Sequence, residues 1–244
     1  MHPILFIIGP LTIYSFGFML ALAVVVCSYF LARDAVKLGI AKDVVYDFAF
    51  WVALAGVIGS RIFYIALNFD YFMESPSELV QIQHGGLAWQ GGLVFGFITA
   101  FFYLKSKKIS ILPFLDLACP YAALGQAIGR IGCFLNGCCF GKPVAWGPYF
   151  SVHDAHLHPT QLYESAGLVI IFFILKSLNT KWRGTGVFLV YFMLAAFLRF
   201  TVQFFRDDSD PIWTGLSVFQ WVCLAVFAAA AGTFFYLKKK PSAS

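Results

Sequence analysis

The segment from Gly129 to Pro143 brings together residue types that could bind and transform an anionic substrate. It reads GRIGCFLNGCCFGKP, with an arginine, an asparagine amide, three cysteine thiols and four glycines. It follows an apolar run in a chain that is 60% hydrophobic. Because charged and polar groups are costly to hold at a membrane boundary, such a cluster usually marks a substrate pathway or a catalytic site.

Five basic residues stand apart from the lysine-rich connections of the chain, and they are Arg61, Arg130, Lys142, Arg199 and Arg206. An arginine at membrane depth is costly unless it meets water, an anion or a carboxylate. One interpretation is pairing with the few carboxylates of the apolar segments, which are Asp47, Asp116 and Glu164. For the group we favour anion recognition, because a guanidinium binds phosphate through a bidentate fork and a phospholipid headgroup is the most available anion there.

Two further motifs lie at predicted helix starts. Glycine pairs at 85–86 and 91–92 flank Gln90. They allow close approach of a ligand, or they form a helix-packing seam of small residues. The run HPTQLYE, residues 158–164, has a proline suited to the start of a helix. His158, Tyr163 and Glu164 are therefore expected near the entry of that helix.

The cysteines Cys133, Cys138 and Cys139 cluster at the predicted outer boundary, and three interpretations stay open. Together with nearby histidines they could ligate zinc, but the spacing C-x4-C-C matches no standard zinc pattern. Cys133 could form a disulfide with either of the other two in an oxidising compartment. The third interpretation is free thiols that fill space beside a polar site. We expect no metal at this site.

Composition places the chain in a membrane. Only 12% of the residues are charged, 19% are aromatic and the mean hydropathy is +0.80. Apolar runs long enough to cross a bilayer recur along the sequence. We predict an all-α polytopic protein that forms a single transmembrane domain over residues 1–244, with outer loops at about 68–86 and 133–160 forming the site. The seven predicted helices cover about 13–32, 47–67, 87–104, 111–131, 161–178, 185–205 and 214–236.

The distribution of lysine and arginine predicts the orientation. Twelve of the 17 basic residues fall in alternate connections, at 33–42, 105–108, 176–183 and 238–240. Since such loops stay on the cytoplasmic side, the N-terminus faces outward and the C-terminus faces the cytoplasm. The net charge of +5 reflects this bias. It is no sign of nucleic-acid binding, which would need a basic face on a soluble domain.

These motifs together resemble the prolipoprotein diacylglyceryl transferase family over nearly the whole chain. The most specific are the 129–141 segment, similar to the family's G-R-x-G-N-F-x-N-G-E-x-x-G pattern, and the HPxQLYE run. The weaker ones are Ile8-Gly9-Pro10, Gly59-Ser60-Arg61-Ile62, Gly85-Gly86-Leu87, Gly91-Gly92-Leu93 and the stretch from Arg199 to Arg206.

The resemblance implies an enzyme of the bacterial inner membrane that moves a diacylglyceryl group from phosphatidylglycerol to the lipobox cysteine of a prolipoprotein signal peptide. The product is a thioether, glycerol phosphate is released, and no cofactor is required. It implies catalytic roles for Arg130, Arg199 and Gln90. The expected headgroup-binding residues are Arg61, Arg130, Asn136, Gly141, His158, Tyr163, Glu164 and Arg206.

Several positions depart from the family pattern. Gln90 stands where the family has histidine, Cys133 where it has asparagine and Cys138 where it has glutamate. Glutamine cannot accept a proton at neutral pH. These departures favour one alternative, in which the chain is a divergent relative that uses the same lipid pocket for another acceptor. A non-catalytic phospholipid-binding protein and a thiol-redox or metal protein are the alternatives from other classes.

Overall fold

The computed structural model describes residues 1–9, 11–74, 77, 79, 86–181, 186–208, 210, 212 and 214–239. His84 and Gly85, part of the glycine-rich motif, lie outside the described residues. The helices within these ranges are α1 Ser15–Ala35, α2 Lys42–Leu67, α3 Phe69–Glu74, α4 Trp89–Ser106, α5 Ile111–Asn136, α6 Thr160–Lys181, α7 Val187–Gln203 and α8 Val218–Lys239.

Each of the seven predicted helices has a counterpart, and the short α3 is additional. In the described part of the chain, five helices are long and apolar enough to cross a membrane. They are α1 with the 3-10 turn that follows it, α2, α5, α6 and α8. Helix α7 is apolar but shorter. The protein is therefore a mostly helical membrane protein, and the count of seven spans stays a prediction.

Two short hairpins accompany the helices, and helix periodicity did not predict them. Strands β1 Ile4–Ile8 and β2 Leu11–Tyr14 pair antiparallel, and Gly9 has a φ of +58° between them. Strands β3 Tyr149–Phe150 and β4 Ala155–His156 pair within the second long loop. Strands this short and apolar carry too little periodicity to be separated from helix ends or loop.

The chain forms two compact units, Met1–Leu31 with Leu112–Ser244, and Ala32–Ile111. In the first unit, α5, α6 and α7 share an apolar core that includes Ala127, Leu175 and Tyr191. The buried carboxylate of Asp116 in α5 accepts the backbone N–H groups of Gly186 and Phe188, at 3.1 and 2.8 Å. It thereby caps the start of α7, because those N–H groups have no partner within the helix.

The second unit is built on the packing of α2 against α4. A Cβ atom placed on Gly91 would lie 2.2 Å from the carbonyl oxygen of Gly59, and one on Gly59 would lie 2.5 Å from Phe95. These two glycines therefore allow the helix backbones to approach closely, as small residues do between membrane helices. Within the described residues, this contact supports the packing interpretation of the second glycine pair.

Candidate active site

Three neighbouring helices of the first unit each contribute a charged side chain to one place. Arg130 lies in the last third of α5, Glu164 in the second turn of α6 and Arg199 near the end of α7. Helix α6 begins directly after Pro159, and the backbone N–H of Leu162 donates to the Pro159 carbonyl at 2.9 Å. This start orients Glu164 toward the other two helices.

Glu164 is a shared counter-ion for two arginines. One carboxylate oxygen, Oε2, contacts Nε of Arg130, and the other, Oε1, accepts from Nη1 of Arg199. The Glu164 side chain is 4% exposed, whereas the arginines are 29% and 24% exposed. A buried carboxylate is tolerated when both of its oxygens are paired in this way.

Asp208 extends the network to a third arginine. Its Oδ2 accepts from Nη2 and Nε of Arg206 at 2.6 and 3.0 Å and lies 3.7 Å from Nη2 of Arg199. Its Oδ1 accepts from Gln203 at 2.8 Å. Partial burial raises the pKa of Asp208, but the hydrogen bonds from Arg206 and Gln203 and the arginine charges outweigh it, so the pKa lies below its usual range.

Arg206 is the most buried of these three arginines, with its side chain 4% exposed. Burial by itself lowers the pKa of a guanidinium, but the hydrogen bond and charge of Asp208 more than offset this, so the pKa of Arg206 is raised. Arg206 is therefore held fully charged beside the network. Its Nη1 also donates to the carbonyl oxygen of Cys139 at 3.0 Å.

A cavity of about 210 Å³ opens on this network. Its lining residues are Gln126, Arg130, Glu164, Leu168, Ala195, Leu198 and Arg199. The lining joins two guanidinium groups and one carboxylate to apolar side chains. Arg130 and Arg199 thus share one carboxylate and face one cavity, as expected of a pair that would hold a single anion.

The network has more positive than negative groups. Three guanidinium groups, those of Arg130, Arg199 and Arg206, pair with two carboxylates, those of Glu164 and Asp208. Pairing with a carboxylate, one of the two interpretations made from the sequence, is therefore present in this network, and anion recognition stays a prediction. Each arginine is paired, and one guanidinium charge remains in excess beside the cavity.

The loop after α5 is anchored against this network. Gly137, with a φ of +77°, ends α5. Gly141 approaches the backbone of Phe205 so closely that a Cβ atom would lie 2.2 Å from the Phe205 carbonyl oxygen. Its N–H donates to the carbonyl of His158 at 2.9 Å. Gly141, predicted to bind the headgroup, thus has a packing contact that only glycine permits.

His158 and Tyr163 lie together at the entry of α6. Nδ1 of His158 and the hydroxyl of Tyr163 are 3.1 Å apart, and both rings pack against Phe205. The remaining histidines of the loop meet backbone carbonyls: His153 approaches Gly137 at 3.2 Å and His156 approaches Gly147 at 2.7 Å.

Asn136 lies at the end of α5, beside the three clustered cysteines. Its side chain interacts with the Cys138 thiol. All six cysteines of the chain are free thiols, and the Sγ atoms of Cys133, Cys138 and Cys139 lie within 4.8 Å of one another. Among the described residues, this is the one group of three or more histidine, cysteine or acidic side chains with spacing that could hold a metal ion.

Two predicted site residues belong to the second unit. Arg61 is buried in α2, where its Nη1 donates to the Gly86 carbonyl at 3.1 Å and its Nε to the Leu79 carbonyl at 3.4 Å. Gln90 is exposed in the first turn of α4. Their roles in binding or catalysis stay predictions.

Sequence reasoning did not single out Gln126, Gln203 and Asp208 as site residues. Gln126 lies four residues before Arg130 and donates to the hydroxyl of Tyr191 at 2.6 Å. The spacing of four on one helix could have found it, because residues at i and i+4 share a face. Asp208 lies in an irregular segment beyond α7, where no periodicity indicates which way a side chain points.

The fold and the site define the class of the protein. It is a helical membrane protein that holds arginines and a shared carboxylate around a cavity between its helices. Charged groups inside a membrane bundle usually mark a substrate site, and guanidinium groups are suited to bind carboxylate or phosphate.

Comparison with known proteins specifies the family. The family model described as prolipoprotein diacylglyceryl transferase matches residues 3–236, and the chain belongs to this family. Three similar proteins are named phosphatidylglycerol–prolipoprotein diacylglyceryl transferase. The one from Staphylococcus aureus is 32% identical over 98% of this chain and 90% of its own. The one from Lysinibacillus sphaericus is 31% identical, over 99% and 94%, and that from Clostridium tetani is 32% identical, over 97% of both chains.

Proposed function

We propose that this protein transfers the diacylglyceryl group of phosphatidylglycerol to the cysteine thiol of prolipoproteins. The observation that carries the proposal is the cavity lined by Arg130, Arg199 and Glu164, where two guanidinium groups share one carboxylate. A phosphodiester has one negative charge and thus matches the one guanidinium in excess. The family membership and the names of the similar proteins agree with this substrate.

The reaction makes a thioether and breaks a carbon–oxygen bond. The thiol sulfur attacks the glyceryl carbon that bears the phosphate oxygen. The electron pair of the broken bond leaves on that oxygen, glycerol phosphate departs, and the thiol proton is lost to the phosphate or to water. Negative charge therefore grows on the phosphate as the bond breaks. Glu164 holds the arginines in place before the substrate binds. The arginines therefore stabilise the growing charge of the transition state more strongly than the charge of the bound lipid, and this difference lowers the activation barrier.

The excess guanidinium charge also favours the nucleophile. A thiol with an ordinary pKa of about 8.5 is mostly protonated at neutral pH, and nearby positive charge favours the thiolate. Gln90 cannot take the proton. The positive electrostatic potential of the arginines at the cavity therefore favours loss of the thiol proton, which a general base would otherwise assist. We expect substitution of Gln90 to lower the transfer rate less than substitution of Arg130 or Arg199.

The protein acts in the bacterial inner membrane with seven spans, and its N-terminus faces outward. Helices α1, α2, α4, α5, α6, α7 and α8 are the proposed spans. In this arrangement the 133–160 loop and the Arg206–Asp208 segment lie on the outer side, at the outer ends of α5, α6 and α7. Phosphatidylglycerol and the signal peptide of a prolipoprotein would reach the cavity from the bilayer.

The experiment is a transfer assay with purified protein, phosphatidylglycerol vesicles and a lipobox peptide. We expect glycerol phosphate and lipidated peptide in equal amounts. The Arg130→Ala variant should lose at least about a hundredfold in rate, the cost of removing one preorganised donor from an oxyanion site. Arg33→Ala removes an exposed arginine in the last turn of α1 and is the matched control. Wild-type turnover by Arg130→Ala, or no product from the unmodified protein, would refute the proposal.

A further inference from the structure

The thiols of Cys133, Cys138 and Cys139 have no part in the reaction proposed above. They do not line the cavity, and the sulfur that reacts belongs to the acceptor peptide. Yet their Sγ atoms lie within 4.8 Å of one another, although two of the cysteines lie in a loop and the third in the last turn of α5. The fold therefore brings three thiol ligands close together, although their spacing in the sequence matches no standard zinc-binding pattern.

We propose that Cys133, Cys138 and Cys139 form a three-thiolate site for a thiophilic metal ion, Zn²⁺ or Cu⁺. Sulfur atoms bound to one zinc ion at about 2.3 Å lie about 3.8 Å apart in tetrahedral geometry. The observed separations therefore need only small side-chain movements to close on one ion. Thiolates are the ligands that select these two metals over Mg²⁺ or Ca²⁺.

The backbone of the cluster is held in place before any metal binds. The carbonyl of Cys138 accepts from Gln161 at 2.6 Å, and that of Cys139 accepts from Thr160 at 2.8 Å and from Arg206 at 3.0 Å. Cys139 has a φ of +64°, in the left-handed region that a cysteine rarely adopts. Such a conformation persists when surrounding contacts impose it, and it occurs often at functional sites. The metal would meet ligands already brought together.

The number of protein ligands and the positive charge beside them both suit Zn²⁺ or Cu⁺. His153 in the same loop is a candidate for a fourth ligand, but its Nε2 lies 3.2 Å from the Gly137 carbonyl and its ring packs on Phe140 at 3.9 Å. Three sulfur ligands suffice for Cu⁺, and zinc sites with three protein ligands take water as the fourth. Arg206 supplies positive charge beside the thiolates.

Metal binding is tested on the purified, reduced full-length protein, kept free of oxygen in detergent. Zn²⁺ and Cu⁺ are titrated separately against a chelator of known affinity. We expect one equivalent of at least one of these ions in the unmodified protein. The same is expected in a matched control that replaces the three cysteines outside the cluster, Cys27, Cys119 and Cys223, with serine. Replacing Cys133, Cys138 and Cys139 with serine should weaken binding at least tenfold. Equal binding by both variants, or no binding of either ion, would overturn the proposal.

Alkylation footprinting of the unmodified protein tests the proposal even if the variant without Cys133, Cys138 and Cys139 does not fold. Alkylation of the peptide that contains residues 133–139 is followed by mass spectrometry with and without metal. We expect metal to slow alkylation of these cysteines and a chelator to restore it. Protection that only a reductant removes would indicate a disulfide instead and would contradict the proposal. Neither experiment depends on transferase activity, so the metal site and the proposed reaction can fail separately.

Discussion

Glu164 neutralises two arginines at once, so its charge should matter more than that of an ordinary carboxylate. In the Glu164→Gln variant, Arg130 and Arg199 would lose their common partner inside the helix bundle. Breaking a buried ion pair by removing one partner costs about 3 kcal/mol. We expect a comparable loss of stability, read from thermal or denaturant unfolding in detergent, and a fall of at least about tenfold in transfer rate, because the arginines would no longer be held in place.

The matched control for this change is Asp43→Asn. Asp43 is exposed in the first turn of α2. An exposed carboxylate near the N-terminus of a helix contributes about 0.3–1 kcal/mol, so the control should unfold nearly like the unmodified protein. If Glu164→Gln were as stable and as active as the control, Glu164 would not be the residue that organises the two arginines.

Asp208 gives the network a pH dependence with a definite sign. Its pKa in the folded protein is lowered, chiefly by Arg206 and Gln203 acting against burial. An aspartate of ordinary pKa, about 3.9, is charged above that pH even in the unfolded chain. The charged form therefore stabilises the fold above about pH 4, and this stabilisation is lost as the pH falls through the folded pKa.

The variant Asp208→Asn tests this dependence by thermal unfolding between pH 7 and pH 3. At neutral pH the variant should have a lower Tm than the unmodified protein, and the difference should shrink below about pH 4. Asp207→Asn removes a neighbouring exposed carboxylate and serves as the control. A difference in Tm that stays constant over the whole range would show that the Asp208 charge does not stabilise the network.

Residue types predicted only part of this site. An arginine or glutamate in an apolar helix is conspicuous, and the family resemblance implied roles for Arg130, Glu164 and Arg199 in one site. Asp208 lies in irregular structure, and its partner Arg206 is two residues away in sequence. The approach of the three thiols depends on the turn at Gly137 and on the left-handed φ of Cys139. No hydropathy pattern encodes either feature.

At the scale of elements, the contact between α2 and α4 depends on glycines at specific positions. In Gly91→Ala the new methyl group would lie 2.2 Å from the Gly59 carbonyl oxygen, so the helices would have to separate. Overpacking of this kind costs about 1–3 kcal/mol. We expect the Tm to fall by roughly 2–12 °C, since 1 kcal/mol corresponds to about 2–4 °C in a chain of this size.

Gly96 provides the comparison within the same helix. A Cβ atom there would lie 3.8 Å from Val52, an ordinary contact, and alanine favours a helix over glycine by about 1 kcal/mol. Gly96→Ala should therefore be neutral or slightly stabilising. Equal effects of the two substitutions would mean that the close approach at Gly91 is not what joins α2 to α4.

Long apolar elements were the easiest part of the fold to predict. Five of the described helices follow from runs of apolar residues that are long enough to cross the hydrocarbon layer. Their ends were less accurate: α5 continues to Asn136, five residues beyond the predicted end, because the polar residues of its last turn interrupt the apolar run without ending the helix. The hairpins β1–β2 and β3–β4 were missed because their strands are short.

At the scale of the whole molecule, orientation depends on charge rather than on packing. Twelve of the 17 basic residues lie in alternate connections, and the positive-inside tendency holds such loops in the cytoplasm. With the proposed seven spans, the 105–108 turn and the C-terminal end would lie inside, and the 133–160 loop would lie outside. This arrangement would bring the cavity lined by Arg130 and Arg199 near the outer ends of its helices.

Cysteine labelling of the full chain tests this orientation. In a background where all six native cysteines are serine, single cysteines replace Lys107, Asp154 or Lys238, all of which are exposed. A membrane-impermeant maleimide added to intact spheroplasts should label Asp154→Cys only, and lysis should expose the other two. Labelling of Lys107→Cys in intact spheroplasts would show the opposite orientation. Labelling of only one of positions 107 and 238 would show that an odd number of spans lies between them. The first result would place the arginine network on the cytoplasmic side, because polar groups at a helix end lie on the side of the membrane where that helix emerges. The second result would require a different number of membrane spans.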